Sequence, residues 1–309
     1  MLFHNYSANM KSQLFEVTHT TVYRYVSVVS VSHNVVRLAP RLLDRQRPLS
    51  HRIELTPPPS VVSVHTDYFG NDVHFATIDE AHQELRVTAQ STVAVGPSAI
   101  PDVSETQPWE RVYGRCLLDH SKTTLEATEF TFPSPHVPVA PAYADYARPS
   151  FTAGRPILEA VIDLTSRIHR DFTFDSEATT LATPLEEVLK NRRGVCQDFA
   201  HFQIACLRSL GLPARYVSGY LETLPPPGQQ KLMGADASHA WISFYCPGIG
   251  WIDADPTNDV LPSMQHITVA WGRDYGDVSP IHGVASGGGD HQLDVAVNVV
   301  AKGVIETAG

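Results

Sequence analysis

Cysteine is scarce in this sequence: Cys116, Cys196, Cys206 and Cys246 are the only four in 309 residues, and no two form a CxxC pair. That excludes a disulfide scaffold or a cysteine metal knuckle and fits a reduced compartment. Basic residues are in the minority, 23 Lys and Arg against 33 Asp and Glu, for a net charge of -10. Without a basic footprint, no nucleic acid and no anionic membrane is expected as a partner. No window holds the ~18 apolar residues of a spanning helix, and the first ten residues lack an apolar stretch of signal-peptide length, so a cytoplasmic location is the expectation. Ser286-Gly287-Gly288-Gly289 has no phosphate-loop lysine and reads as a turn.

What the chain does have is apolar content, 43% of its residues, enough to bury a core with room for two domains. After an N-terminal extension over residues 1–12, residues 13–100 read as a β-rich domain. Residues 15–25 largely alternate, and 61–65 and 85–89 are similar short runs, so an antiparallel sandwich is predicted. Gly70-Asn71 marks a hairpin between Asp67-Tyr68-Phe69 and Val73-His74-Phe75. His19, His33, His51, His65, His74 and His82 lack ligand spacing and are assigned no chemistry. Prolines then gather, so residues 101–155 read as a surface connector. Residues 156–309 follow as an α+β core with C-terminal strands.

The core is organised around residues 193–221. Arg193-Gly194-Val195 reads as a tight turn into a helix that begins at Cys196 and ends at Gly211 and Pro213. Phe199, Ala200, Phe202, Ile204, Ala205, Cys206, Leu207 and Leu210 cover most of its circumference, so the helix is central. Asp198, His201 and Arg208 form a thin polar stripe, read as hydrogen-bonding support or as solvated. A thiol on the first residue faces unpaired backbone N–H groups and the positive end of the helix dipole, the setting of a nucleophile. Cys116, Cys206 and Cys246 read as small hydrophobes or loop residues. Upstream, Pro156 leads an amphipathic helix, and Thr183-Pro184-Leu185-Glu186 reads as a capping box before a helix to about Asn191.

Two alternating segments, residues 238–245 and 251–255, form a hairpin with two admissible registers. A three-residue turn over residues 246–248 places His239 opposite Asp255. A loop over residues 246–250 places Asp255 opposite Trp241 and diagonal to His239. Either way the two side chains share a face within ~5 to 8 Å, and Pro256 fixes Asp255 in extended backbone. Cys196, His239 and Asp255 thus make a nucleophile, a proton acceptor and an orienting carboxylate. The Cys196 N–H is the natural oxyanion donor, while Gln197 and Trp241 stay open as a second.

Four blocks carry a resemblance. They are Gly194-Val195-Cys196-Gln197-Asp198-Phe199-Ala200-His201, Leu212-Pro213-Ala214-Arg215-Tyr216-Val217-Ser218-Gly219-Tyr220, Asp236-Ala237-Ser238-His239-Ala240-Trp241 and Trp251-Ile252-Asp253-Ala254-Asp255-Pro256-Thr257-Asn258. In that order they resemble the core of the bacterial transglutaminase-like superfamily. Residues 19–25 and 67–71 resemble the N-terminal domain of such proteins, and residues 272–278 their later part. The resemblance implies a papain-like fold, a central helix packed on an antiparallel sheet, with Cys196, His239 and Asp255 as triad. Its implied activities are those of transglutaminases, peptidases and peptide N-glycanases.

The expected function is a cysteine-dependent amide or peptide-bond enzyme. It forms a thioester and passes the acyl group to water or an amine, with a peptide or amide substrate and no cofactor. The alternative is a catalytically silent protein that binds through the same cleft. A metal hydrolase built on Cys196, Asp198, His201 and Cys206 is disfavoured, since Cys206 lies ~15 Å along the helix from Cys196. The proline-rich loop over residues 222–236 is expected to border the pocket.

Overall fold

The computed structural model describes residues 10–222 and 238–307. The loop over residues 222–236 therefore lies, apart from Glu222, outside the described residues. The first five strands are β1 (Met10–Val36), β2 (Gln46–Thr56), β3 (Val61–Thr66), β4 (Asp72–Ile78) and β5 (His82–Val95). They run in the order β2-β5-β1-β4-β3, every pair antiparallel. β1 is the spine: Gln13 to Arg24 pairs with β5, and Ser32 to Val36 pairs with β4. Gly70 does mark a hairpin, at φ +76, but one that joins β3 to β4. Asp67 and Phe69, expected on a strand, lie in the connection, where Asp67 Oδ1 accepts from the N–H groups of Phe69 and Asn71. A carboxylate that close to its own turn amides competes with a ladder.

Residues 101–155 carry three helices, α1 (Trp109–Leu118), α2 (Lys122–Thr128) and α3 (Pro141–Ala147). Val112, Val137, Tyr143 and Ala147 from this stretch are buried in the main core. The core continues through α4 (Ile157–Asp171), β6 (Thr173–Phe174), α5 (Leu185–Asn191), β7 (Arg193–Gly194), α6 (Cys196–Ser209), β8 (Ala214–Leu221), β9 (Ser238–Cys246), β10 (Gly250–Ala254), β11 (His266–Gly272) and α7 (Tyr275–Val278). The capping box expected before α5 does not form. Pro184 occupies the cap position, and the Thr183 hydroxyl accepts from the Thr180 N–H instead.

The sheet packed against α6 has the order β10-β9-β8-β11. Ala214, Tyr216, Ala240, Ile242 and Phe244 alternate on one face and enter the cluster that holds Phe199, Phe202 and Ala205 of α6. The helix is therefore covered all round, as its apolar circumference demands. The opposite face carries Arg215, Val217, His239, Trp241, Ser243 and Asp253 in strand alternation.

The chain then returns to where it began: β12 (Ile281–Gly287) and β13 (His291–Thr307) both pair with β1 and complete a seven-stranded sheet. The C-terminal strands grouped by sequence with the core thus hydrogen-bond to the N-terminal sheet. The two sheets are joined at the outer edge of β11. Gln46, buried after β1, donates to Thr268 O at 2.7 Å and accepts from Thr268 N at 2.8 Å, and Asn71 does the same for Trp271. Two side-chain amides stand in for a neighbouring strand and close an edge that would otherwise be open. Mixed helices and antiparallel sheets place the fold in the α+β class, with a papain-like core. Among the described residues no helix is long and apolar enough to cross a membrane.

Candidate active site

Cys196 is the first residue of α6, as expected, with Val195 extended before it. The turn into the helix is held by Asp198, whose Oδ2 accepts from the Val195 N–H at 2.8 Å and from the Thr179 hydroxyl at 2.6 Å. Gly194 is required here: a Cβ on it would stand 2.6 Å from that same oxygen. Burial raises the Asp198 carboxyl, and the Thr179 and Val195 hydrogen bonds only partly oppose that. The far end is fixed as well. Gly211, at φ +73, stops the helix, and buried Arg208 donates to the carbonyls of Ala214, Phe132 and Arg273. With Asp198 and His201 also buried, the polar stripe is a set of hydrogen-bonding anchors and not a solvated face.

The hairpin adopts the second of the two registers. Tyr245 pairs with Trp251, and Ser243 with Asp253, so Asp255 stands opposite Trp241 and diagonal to His239. The diagonal closes through a 2.7 Å contact between His239 Nε2 and Asp255 Oδ2. An ionised carboxylate only accepts, so Nε2 carries the proton, and Cys196 is the second group whose interaction favours the charged ring. The three expected residues thus meet, on the sheet end nearest the start of α6.

Asp255 is fully buried and accepts five hydrogen bonds. Oδ1 takes the N–H groups of Thr257 (2.9 Å) and Asn258 (3.2 Å). Oδ2 takes His239, the Asn258 amide (2.8 Å) and a second imidazole, His266 Nε2 (3.0 Å). Burial on its own would drive this carboxyl up, but the bonds from His239 and His266, the imidazolium charge and Asn258 hold it well below the ordinary range. His239 moves the other way. Desolvation lowers it, but its bonds to Asp255 and Cys196 prevail and raise it to about 10. The charged imidazole is therefore the favoured form beside Cys196.

His266 was not legible as a site residue, because the sequence places the start of its strand at Thr268 and the pairing partner of β11 is β8, three strands earlier. Trp241, open as an oxyanion donor, is wholly buried and packs against His239 at 5.9 Å and edge-on to His266 at 5.1 Å between ring centroids. Its Nε1 has no hydrogen-bond partner among the described residues. Gln197 instead lines a cavity of ≈400 Å³ with His136, Thr180 and Glu186. The ligand atoms of His239, Asp255 and His266 lie within 4.8 Å of one another, a spacing that suits a metal ion. Both Nε2 atoms, however, already hydrogen-bond to Asp255 Oδ2.

Comparison with known proteins identifies the family. Residues 15–94 match the bacterial transglutaminase-like N-terminal region, and residues 144–256 match the transglutaminase-like superfamily. An uncharacterized protein of Mycobacterium tuberculosis is 42% identical over 294 residues, covering 93% of this chain and 92% of that one. One from Mycobacterium leprae is 35% identical over 286 residues, covering 92% and 97%. A protein-glutamine gamma-glutamyltransferase of Pseudomonas aeruginosa is 30% identical over 126 residues, 40% of this chain and 19% of that one. In fold, the chain is similar to the crystal structure of "a Putative Cysteine Protease from Cytophaga hutchinsonii", with a TM-score of 0.75, 21% identity and coverage of 97% and 95%.

Proposed function

Because the chain belongs to the transglutaminase-like superfamily, a family of cysteine enzymes, we propose that it attacks carboxamide or peptide bonds through an acyl-thioester on Cys196. The observation that carries this reading is His239 held between Cys196 and Asp255. His239 Nδ1 takes the thiol proton, and the sulfur attacks the substrate carbonyl carbon. The oxyanion that forms is met by the Cys196 N–H, one of the unpaired donors at the start of the helix. Protonated His239 then delivers its proton to the leaving nitrogen as the C–N bond breaks, which leaves the acyl group on sulfur. Water discharges the thioester to an acid, or an amine discharges it to a new amide; in both cases His239 removes the attacking proton.

Asp255 fixes the tautomer that makes each transfer possible, since its five donors leave it no freedom to turn. The cavity beside Gln197 is the natural seat for the acyl side chain. Peptides with free carboxamide side chains are the substrate class to which such a site is open, with primary amines as acceptors.

Iodoacetamide labelling tests this. Peptide mapping after a brief exposure of the folded protein is expected to find Cys196 modified ahead of the other three cysteines, and His239→Gln to slow that modification about tenfold or more. Equal labelling of Cys196 in folded and denatured protein would instead mark a silent binding protein.

A further inference from the structure

On the same face of the sheet as His239, toward the other end, stands a guanidinium with no ion-pair partner among the described residues. Arg215 is only 8% exposed, and its guanidinium carbon lies 4.2 Å from the centroid of Trp251 and 3.7 Å from that of Trp271. Indole faces stabilise the charge, but a guanidinium keeps its N–H donors at its edge, where a π-face cannot accept them. Buried donors are normally paired. Arg215 Nε has no partner among the described residues, and its acidic neighbour, Asp253, is in an ion pair with Arg45 at 3.3 Å.

Arg215 lines a cavity of ≈520 Å³ at the junction of the two sheets. It is lined by Arg215, Trp251 and Trp271 from the second sheet and by residues 42–45 and 97–100 of the N-terminal part. The Val217–Trp241 pair separates Arg215 from the Gly219–His239 pair, so the cavity is distinct from the triad. We propose that this cavity binds a small carboxylate with an apolar body, held by the edge of the Arg215 guanidinium.

Three features select that class. The rings fix the guanidinium before a ligand arrives, which favours planar, bidentate recognition. Of the two cations that line the cavity, Arg45 is paired with Asp253 and Arg215 is not, and the Asp44 and Asp253 carboxylates on the same lining oppose a dianion, so a monocarboxylate fits better than a phosphate. Leu42, Ile249, Ile252 and Trp251 supply an apolar lining for the rest of the ligand. Burial lowers Arg215 to about 9, which leaves it charged at neutral pH.

Calorimetric titration of the full chain with 4-phenylbutyrate and its neutral amide, 4-phenylbutyramide, tests the site. Saturable binding of the carboxylate is expected, with the amide about tenfold weaker or worse. Arg215→Met should weaken the carboxylate to the same degree. Ala99→Trp, a change at an exposed position on the cavity wall, should do so without touching the buried charge. Cys196→Ala should bind like wild type. Equal binding of acid and amide, no saturable heat up to about 10 mM acid, or loss in Cys196→Ala overturns the proposal. So does binding that Ala99→Trp leaves unchanged, whatever Arg215→Met does.

Discussion

His266 Nε2 stands 3.0 Å from Asp255 Oδ2, the same oxygen that holds His239 at 2.7 Å. One carboxylate oxygen thus orients two imidazoles, of which only His239 reaches Cys196. Removing His266 takes a donor from a buried anion, at a cost on the order of 1.5 to 3 kcal/mol for a bond to a charged group. His266→Ala is expected to lower kcat about tenfold with little change in KM, since it leaves the substrate surface alone. His266→Gln, which restores an N–H donor, should recover part of the loss. Steady-state kinetics on a peptide carboxamide substrate checks both.

The pH dependence of stability follows from the two shifted groups. His239 is raised above its ordinary 6.5, so its contribution is fully present below that value and is lost as pH climbs toward about 10. Asp255 is lowered, so its contribution is present above the ordinary 3.8 and is lost only as pH falls through its depressed value. The melting-temperature gap between wild type and His239→Gln should be largest between these two ordinary values and shrink steadily up to pH 10. A gap that is flat, or that widens with pH, contradicts the assigned ion pair.

Gly219 sits opposite His239 on β9 and opposite Thr268 on β11. A Cβ there would stand 2.1 Å from the Ile267 carbonyl oxygen and 2.6 Å from the Trp241 ring. Neither can yield cheaply, because one is backbone and the other a buried indole. Gly219→Ala should therefore destabilise the fold by about 1 to 3 kcal/mol, as overpacking does, and lower the urea midpoint accordingly.

Gln46 tests the junction of the sheets. Gln46→Ala leaves the Thr268 N–H without its acceptor, while the Thr268 carbonyl keeps the Arg41 N–H at 3.1 Å. One orphaned buried donor costs on the order of 1 to 3 kcal/mol. Urea unfolding is expected to register that loss, with hydrogen exchange accelerated first in β11.

What sequence carries well here is local periodicity. The near-continuous apolar surface of residues 199–210 identified a central helix, and its first residue identified Cys196. Alternation in the hairpin put His239 and Asp255 on one face before the register was known, because both registers preserve parity. Pairings between segments far apart in the chain left no such trace. Nothing local announces that β13 runs along β1, or that β11 brings His266 under Asp255. Buried charge was hidden for a related reason. Arg208 reads as part of a polar stripe and Arg215 carries no local signal, and only the packed structure supplies the carbonyls that satisfy the first and the indoles that cover the second.

The central claim, that Cys196 forms an acyl-thioester served by His239, is tested most directly by acid-quenched intact-mass analysis. The protein is mixed with a glutamine-containing peptide and sampled before turnover is complete. Wild type is expected to gain the peptide mass less ammonia, and His239→Gln to gain it far more slowly. Cys196→Ala should gain nothing, and a primary amine should discharge the adduct. An adduct that persists in Cys196→Ala, or turnover of the peptide with no adduct on wild type at any time, would contradict it.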